Sequence, residues 1–351
     1  MSFKPDLAHA AQSWDAFWRN ELPGPWVGAV VPKPGLTPAA KPSSYASGPD
    51  LDVEVFADQG LRWAESHDFV GAAIPFVYLE FAADQFSTFL GADLLFPTPG
   101  EGGWPTHPCA EVPLEEVQIR FEREGSWWRR IRAIAARLME RWQGDLLVAA
   151  PTFVANLDAL VALRGANQVL FDLLDRPEAV HRALAQIDQA CAEVMEAFAE
   201  LLQFERLGSI NRHGMYSSGR LNLPQCDFSC LISPAMFAEF ARPYLKQEMA
   251  RQDGSEYHLD GPDAIRHLEA LCSIEELGVV QWVAGAARQG EDWSDLYRRI
   301  DRLGKGQILG GNAANLERWR RELTAGRLFW NLSARTRAEA EDAIARCGGG
   351  A

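Results

Sequence analysis

Apolar and polar positions along the chain follow two alternating patterns. Short apolar runs bounded by turn residues recur at 26–31, 69–78, 145–153, 207–211, 256–260, 279–283, 307–309 and 328–332. Between most of them lie amphipathic segments of helical period, clearest over 127–142, 177–202, 234–251, 262–272, 293–303 and 316–323. Start signals reinforce several of these helices. Ser233 before Pro234 offers an N-cap with proline at the first helical position, and Asn315 and Thr336 stand in comparable places.

Strands that alternate with helices imply parallel pairing with helical crossovers, either as an open doubly wound sheet or as a closed barrel. The phosphate-binding pattern G-x-G-x-x-G is missing after the first strand, which weakens the open-sheet alternative. About eight strands fit the closed form. The expected fold is therefore an α/β TIM (β/α)8 barrel, a single domain over 1–351 with a helical N-terminal extension over about 1–24. The loops 32–50 and 97–111 read as excursions of that domain, and no repeat is visible beyond the strand–helix period.

Composition narrows the function classes. The 351 residues are 47% hydrophobic and carry a formal charge of -14, enough for a large core and poorly suited to nucleic acid, which needs clustered cations. The Arg-rich patch at 127–132 lies within a helical pattern flanked by Glu122, Glu124 and Glu140, and reads as a solvated helix face. The most apolar windows, 69–79 and 146–163, are broken by Pro75, Pro151, Asn156 and Asp158, so no membrane span is expected. The first residues, Met1-Ser2-Phe3-Lys4-Pro5-Asp6, lack a secretory layout, and six scattered cysteines suit reduced thiols, so a cytoplasmic location is expected. The C-x3-C pair Cys226 and Cys230 has no second pair to complete a structural zinc site.

Barrel enzymes carry their chemistry at the C-terminal ends of strands, so reactive side chains are expected at those ends. The leading feature is His258-Leu259-Asp260, because residues two apart on a strand point to one face and reach one pocket. Other strand ends offer Tyr78 with Glu80, Thr152 with Asn156, Arg212 with His213, Gln281 with Trp282, then Asn312, and Asn331 with Ser333. His258 and Asp260 admit three roles: a hydrogen-bonded pair that stiffens the strand, a metal site completed by Glu80, or a general acid–base couple. Arg212 adds a cation that could hold a substrate carboxylate. The expected catalytic set is His258, Asp260, Arg212 and Glu80. Tyr78, His213, Asp227, Gln281, Trp282, Asn312 and Asn331 are the expected substrate contacts. Asp227 serves equally well as a helix cap, and Trp282 with Trp104 could form an aromatic wall.

Several phrases carry a family resemblance. The run 226–237, with its Ile232-Ser233-Pro234-Ala235-Met236-Phe237 core, and the following Arg242-Pro243-Tyr244-Leu245 are similar to a segment of the uroporphyrinogen decarboxylase superfamily. Tyr257-His258-Leu259-Asp260-Gly261, Gly310-Gly311-Asn312, and Asp84-Gln85-Phe86 leading to Leu90-Gly91-Ala92 resemble further marks of that family. The resemblance covers roughly 50–345 and implies a TIM barrel with its pocket at the strand C-termini. It extends to a branch that holds corrinoid:thiol methyltransferases and lies near cobalamin-independent methionine synthase.

The departures bear on function. Uroporphyrinogen decarboxylases open with an arginine-rich phrase that holds substrate carboxylates, whereas the first strand here reads Pro25-Trp26-Val27-Gly28-Ala29-Val30-Val31-Pro32. The methyltransferase branch uses His-x-Cys and a later cysteine for zinc, but here Asp260 and Asn331 occupy the corresponding places. Zinc held by His258, Asp260 and Glu80 would be a hydrolytic or Lewis-acid site rather than a thiol-activating one. Three functions follow as expectations. They are a metal-assisted methyltransferase served by a corrinoid partner protein, a decarboxylase of a small carboxylic acid, and a ligand-binding barrel without catalysis. A small-molecule substrate is expected in the first two, and the sequence leaves room for a homodimer.

Overall fold

The computed structural model describes residues 1–44, 50–98, 102–325 and 327–347. Parts of both long loops, 45–49 and 99–101, lie outside the described residues. The strands are β1 Trp26–Pro32, β2 His67–Gly71, β3 Phe76–Tyr78, β4 Leu94–Leu95, β5 Trp104–Pro105, β6 Leu147–Ala149, β7 Ser209–Ile210, β8 Tyr216–Ser217, β9 Glu256–Asp260, β10 Val279–Val283, β11 Gly306–Gly311 and β12 Leu328–Leu332. Six of them form one sheet in the order β2-β1-β12-β11-β10-β9. All its neighbours are parallel except β2, which runs against β1. A separate parallel pair joins β3 to β6, and β4-β5 and β7-β8 are hairpins. The fold is thus α/β with a mostly parallel sheet. Its hydrogen-bonded ladder does not close into the expected ring of eight among the described residues.

Local causes interrupt the ladder. The stretch 69–78, expected as one strand, contains a reversal at Gly71, whose φ is 60°. A Cβ at that position would lie 2.3 Å from the Val27 carbonyl oxygen, so glycine is required where the chain turns against β1. The chain starts a new strand only at Phe76, and that strand pairs with β6 rather than with β1 or β2. Similarly, β7 folds back through Gly214, at φ 79°, into the β7-β8 hairpin. Between that hairpin and β9 the only ladder contact among the described residues is a single bridge from Gln225 to His258, because the preceding Pro224 has no N–H to extend it.

Strand parity sorts the side chains among three buried clusters, one of which holds Val27, Ala29 and Val31 of β1 with Trp330 and Leu332 of β12. Trp26 of β1, Phe76 and Tyr78 of β3, Leu147 and Ala149 of β6, Ile210 of β7, Val279 of β10 and Phe329 of β12 belong to one buried cluster. Their alternate neighbours Val77, Val148, Tyr257, Leu259 and Val280 pack in another cluster with the surrounding helices. The N-terminal helix Leu7–Trp18 supplies Trp14, Phe17 and Trp18 to the first cluster, where the Trp14 indole donates to Ala72 O at 3.1 Å and the Trp18 indole to Tyr216 O at 2.7 Å. Burying a side chain of this size stabilises by roughly 3 kcal/mol. The segment read as an extension is therefore part of the core.

The helices Ser126–Trp142, Pro177–Leu201 and Ser294–Arg302 stand where periodicity placed them. In the first, Trp128 and Ile131 are buried while Arg129 and Arg132 are exposed, as a solvated face requires. The segment 234–251 is not a uniform helix: a π-turn at Phe237–Ala241 separates Pro234–Met236 from Arg242–Ala250. Pro243 cannot donate to the carbonyl four residues back and its ring crowds that turn, which widens there. Asn312, not Asn315, caps the helix Ala313–Glu322, with Asn315 completing a capping box. All six cysteines are free, and no helix among the described residues is long and apolar enough to cross a membrane.

Candidate functional site

The site grows from the inward face of β9. Tyr257 and Leu259 join the helix-side core, so Glu256, His258 and Asp260 face the other way. Glu256 is fully buried and accepts from Asn211 Nδ2 at 2.5 Å and pairs with His213 Nδ1 at 2.7 Å. His213, expected to bind substrate, is thus engaged in anchoring the β7-β8 turn to β9. Neighbouring β10 places Gln281 directly opposite His258.

That register fixes the imidazole. Gln281 Nε2 donates to the Trp282 carbonyl at 3.3 Å, which leaves Gln281 Oε1 facing His258 Nδ1 in a short hydrogen bond. A carboxamide oxygen can only accept, so Nδ1 carries the proton and Nε2 presents a lone pair. His258 is only 8% exposed, and burial together with the nearby Arg212 charge holds its pKa down to about 3. At neutral pH it is an uncharged base or ligand. It cannot serve as a cation.

Two carboxylates meet it. One ligand atom from each of Asp227, His258 and Asp260 lies within 4.8 Å of the others. Bonds of about 2.0–2.2 Å to a zinc ion would separate such atoms by roughly 3–4 Å, so small side-chain rotations suffice to close the set. Asp227 opens a short 3-10 helix, Asp227–Leu231, whose first amides are held by the buried Asp158. Asp158 accepts from Asp227 N at 2.7 Å and from Phe228 N at 2.9 Å. Asp227 keeps solvent-exposed surface, yet desolvation of its carboxyl and the charge of Asp260 push its pKa up to about 6, against the pull of Arg212. Burial also raises the Asp260 carboxyl, again opposed by Arg212.

Glu80, expected as the third ligand, stands elsewhere. Its carboxylate takes a short hydrogen bond from the Tyr78 hydroxyl, which also contacts Thr152 Oγ1 at 2.8 Å and accepts from Thr152 N at 3.0 Å. All three residues are buried, and burial with the Glu80 charge raises the Tyr78 phenol well above its ordinary range. Tyr78 and Glu80 thus form one packed network beside the site, and Asp227 takes the position expected for Glu80. The Cys230 thiol points its Sγ at the Asp260 carbonyl at 3.5 Å and is not among the converging ligand atoms.

Arg212 lies at the centre of these charges. It acts on Tyr78, Asp227, His258 and Asp260, and its only hydrogen bond among the described residues is a long one, Nη2 to Gln225 Oε1 at 3.4 Å. Gln225 also donates to Asp227 Oδ2 at 3.0 Å, so one amide steers both groups. Behind it, Asn156 in a left-handed conformation (φ 51°) donates to Gln225 O at 2.9 Å and to buried Glu248 Oε1 at 2.8 Å. The roles of Gln225 and Asp158 were not seen in the sequence. The alternation Leu221-Asn222-Leu223 was the available signal for the segment, and Pro224 disguised it.

The remaining expectations divide. Trp282 alternates with Gln281, shares the helix side of β10 and packs edge to face with Trp293 at 4.9 Å, so strand parity turns it away from the site. Trp104 is exposed on the β4-β5 hairpin and makes no ring contact with Trp282 among the described residues. The aromatic wall is therefore not formed. Asn312 is exposed and spends its side chain on the helix cap. Asn331 alternates with the interior Phe329 on β12 and is exposed, which leaves it at the open rim of the interior face. The loop after β1 adds Lys41, an exposed residue whose Nζ nevertheless lies 3.5 Å from the centre of the interior Phe76 ring, and local desolvation of the amine there lowers its pKa to about 8.

The cluster thus combines a neutral imidazole of defined tautomer, two carboxyl groups and one adjacent guanidinium. It can bind a divalent cation or move a proton between imidazole and carboxylate. No family model matches the chain, and no curated protein matches it.

Proposed function

We propose that the chain is a distorted (β/α)8 barrel enzyme that uses a divalent metal held by Asp227, His258 and Asp260 to act on a small molecule. The barrel reading rests on the interior cluster. It draws side chains from the six-stranded sheet and from the β3-β6 pair into one core, as expected if the two wrap around it. The metal reading rests on one observation: three ligand atoms converge within 4.8 Å while Gln281 holds His258 in the form that offers a lone pair.

The donor set fits the group. Nitrogen and carboxylate oxygen suit zinc or manganese, and such an ion, when bound, supplies Lewis-acid polarisation of a substrate oxygen. The protein's own residues orient and balance charge. Gln281 fixes the imidazole, Gln225 positions Asp227 and Arg212, and Asp158 holds the loop that carries Asp227. Thiol-activating methyl transfer draws no support from this set, because that chemistry uses thiolate ligands. Decarboxylation of a small acid is favoured by the adjacent Arg212, which can hold a carboxylate, and methyl transfer survives only in a form without thiolate ligation. Metal content of the purified protein and carbon dioxide release from a panel of small carboxylic acids test the reading together. Metal-free protein that still turns over substrate would remove the metal; bound metal with no release from any acid would remove the decarboxylase.

A further inference from the structure

We infer that the site takes its substrate as a small monoanionic carboxylate, and takes it only after the metal, with Arg212 as the anchor for the carboxylate. This rests on the metal reading above and adds a charge argument to it. Burial and the Arg212 charge keep His258 neutral, so the charged groups of the cluster itself are Asp227, Asp260 and Arg212, with Asp84 adding negative charge beside Asp227. Without metal the two carboxylates outweigh one guanidinium, and an incoming anion is repelled. With a divalent ion the two carboxylates are balanced, and the guanidinium charge is left over. One negative charge on the ligand neutralises it.

Geometry supports the same assignment. A guanidinium in a structural role is normally committed to a carboxylate fork or to several carbonyls. Arg212 has neither among the described residues: its one hydrogen bond is the 3.4 Å contact to Gln225 Oε1. Arg251 and Arg164 show the contrast. Arg251 makes two 2.6 Å bonds to Asp188, and Arg164 pairs with buried Asp172 and two backbone carbonyls. Arg212 is half-buried next to the cluster and keeps donors free for a ligand. His258 provides the independent pointer to a ligand, being buried with Nδ1 engaged by Gln281 and Nε2 making no hydrogen bond among the described residues.

By linkage, if metal promotes carboxylate binding, carboxylate must tighten the metal by the same factor. Zinc affinity is therefore measured by competition with a chromophoric chelator, at constant ionic strength, with acetate or its neutral isostere acetamide. We expect acetate, not acetamide, to tighten zinc binding by about tenfold in the wild-type chain, a typical coupling between sites. In Arg212→Met the ratio of zinc affinities with and without acetate should fall to about one, whatever the affinity without acetate; Arg212→Lys should retain part of the acetate effect, as a point charge without the fork. Wild-type zinc binding that is indifferent to acetate, or an acetate effect undiminished in Arg212→Met, overturns the inference and leaves the metal site standing. Absence of zinc binding overturns both.

Discussion

Replacing Glu248 with glutamine should stabilise the protein, although it removes a charged group from a structure of net charge -14. Glu248 is 5% exposed, and burial foremost pushes its carboxyl from 4.5 up to about 8. An acid whose folded pKa is raised is fully tolerated below its unfolded pKa and costs stability as pH climbs between the two values. The penalty therefore begins near pH 4.5 and levels off above pH 8. Each pH unit in that window costs about 1.4 kcal/mol, which accumulates to about 3 kcal/mol at pH 7. Glutamine keeps an oxygen for the 2.8 Å bond from Asn156 Nδ2 and removes the proton equilibrium. Urea unfolding at pH 5, 6, 7 and 8 reads the difference directly. Glu248→Gln should gain on the wild type with every unit of pH and exceed it by about 3 kcal/mol at pH 7. A variant that is less stable than the wild type at pH 7, or a gap that does not widen with pH, would refute the reasoning.

Three further outcomes are expected. Gln281→Leu should leave the fold intact but weaken metal binding about 10–100-fold, since it removes the partner that fixes the His258 tautomer; an unchanged affinity in a metal titration would count against that role. Asp158→Ala strips the acceptors from two backbone amides and should cost about 2–4 kcal/mol in urea unfolding. A loss well under 1 kcal/mol would show that water replaces the carboxylate. Lys41 should acetylate with a midpoint near pH 8 when peptides are followed by mass spectrometry, whereas a midpoint near 10.5 would show that its amine is not desolvated against Phe76.

The chain announced its alternation of strands and helices plainly, because both periods are local. β9, β10 and β12 match the expected ranges residue for residue, and Thr336 caps the helix Arg337–Arg346 as expected. What the sequence concealed was long-range or steric. The reversal at Gly71 depends on the Val27 carbonyl of another strand, so an apolar run of ten residues read as one strand. His258 and Asp260 were legible from spacing alone, but their third companion was not. Asp227 reaches them through a loop held by Asp158, a partner 69 residues earlier, and nothing in local pattern distinguishes it from a plain helix cap. Glu80 looked equally suited by type and place, yet the Tyr78 hydroxyl two residues before it takes up its carboxylate. Gln281 and Trp282 are adjacent in sequence and opposite in direction, and parity on β10 separates their roles.

The central claim is that Asp227, His258 and Asp260 hold one divalent ion and that Glu80 does not. Zinc titration of the wild type, His258→Ala, Asp227→Asn and Glu80→Gln decides it. One equivalent should bind to the wild type, with affinity lost at least about 100-fold in His258→Ala, about tenfold or more in Asp227→Asn, and changed by less than about threefold in Glu80→Gln. Binding that survives in His258→Ala and Asp227→Asn, or that fails in Glu80→Gln alone, would contradict it.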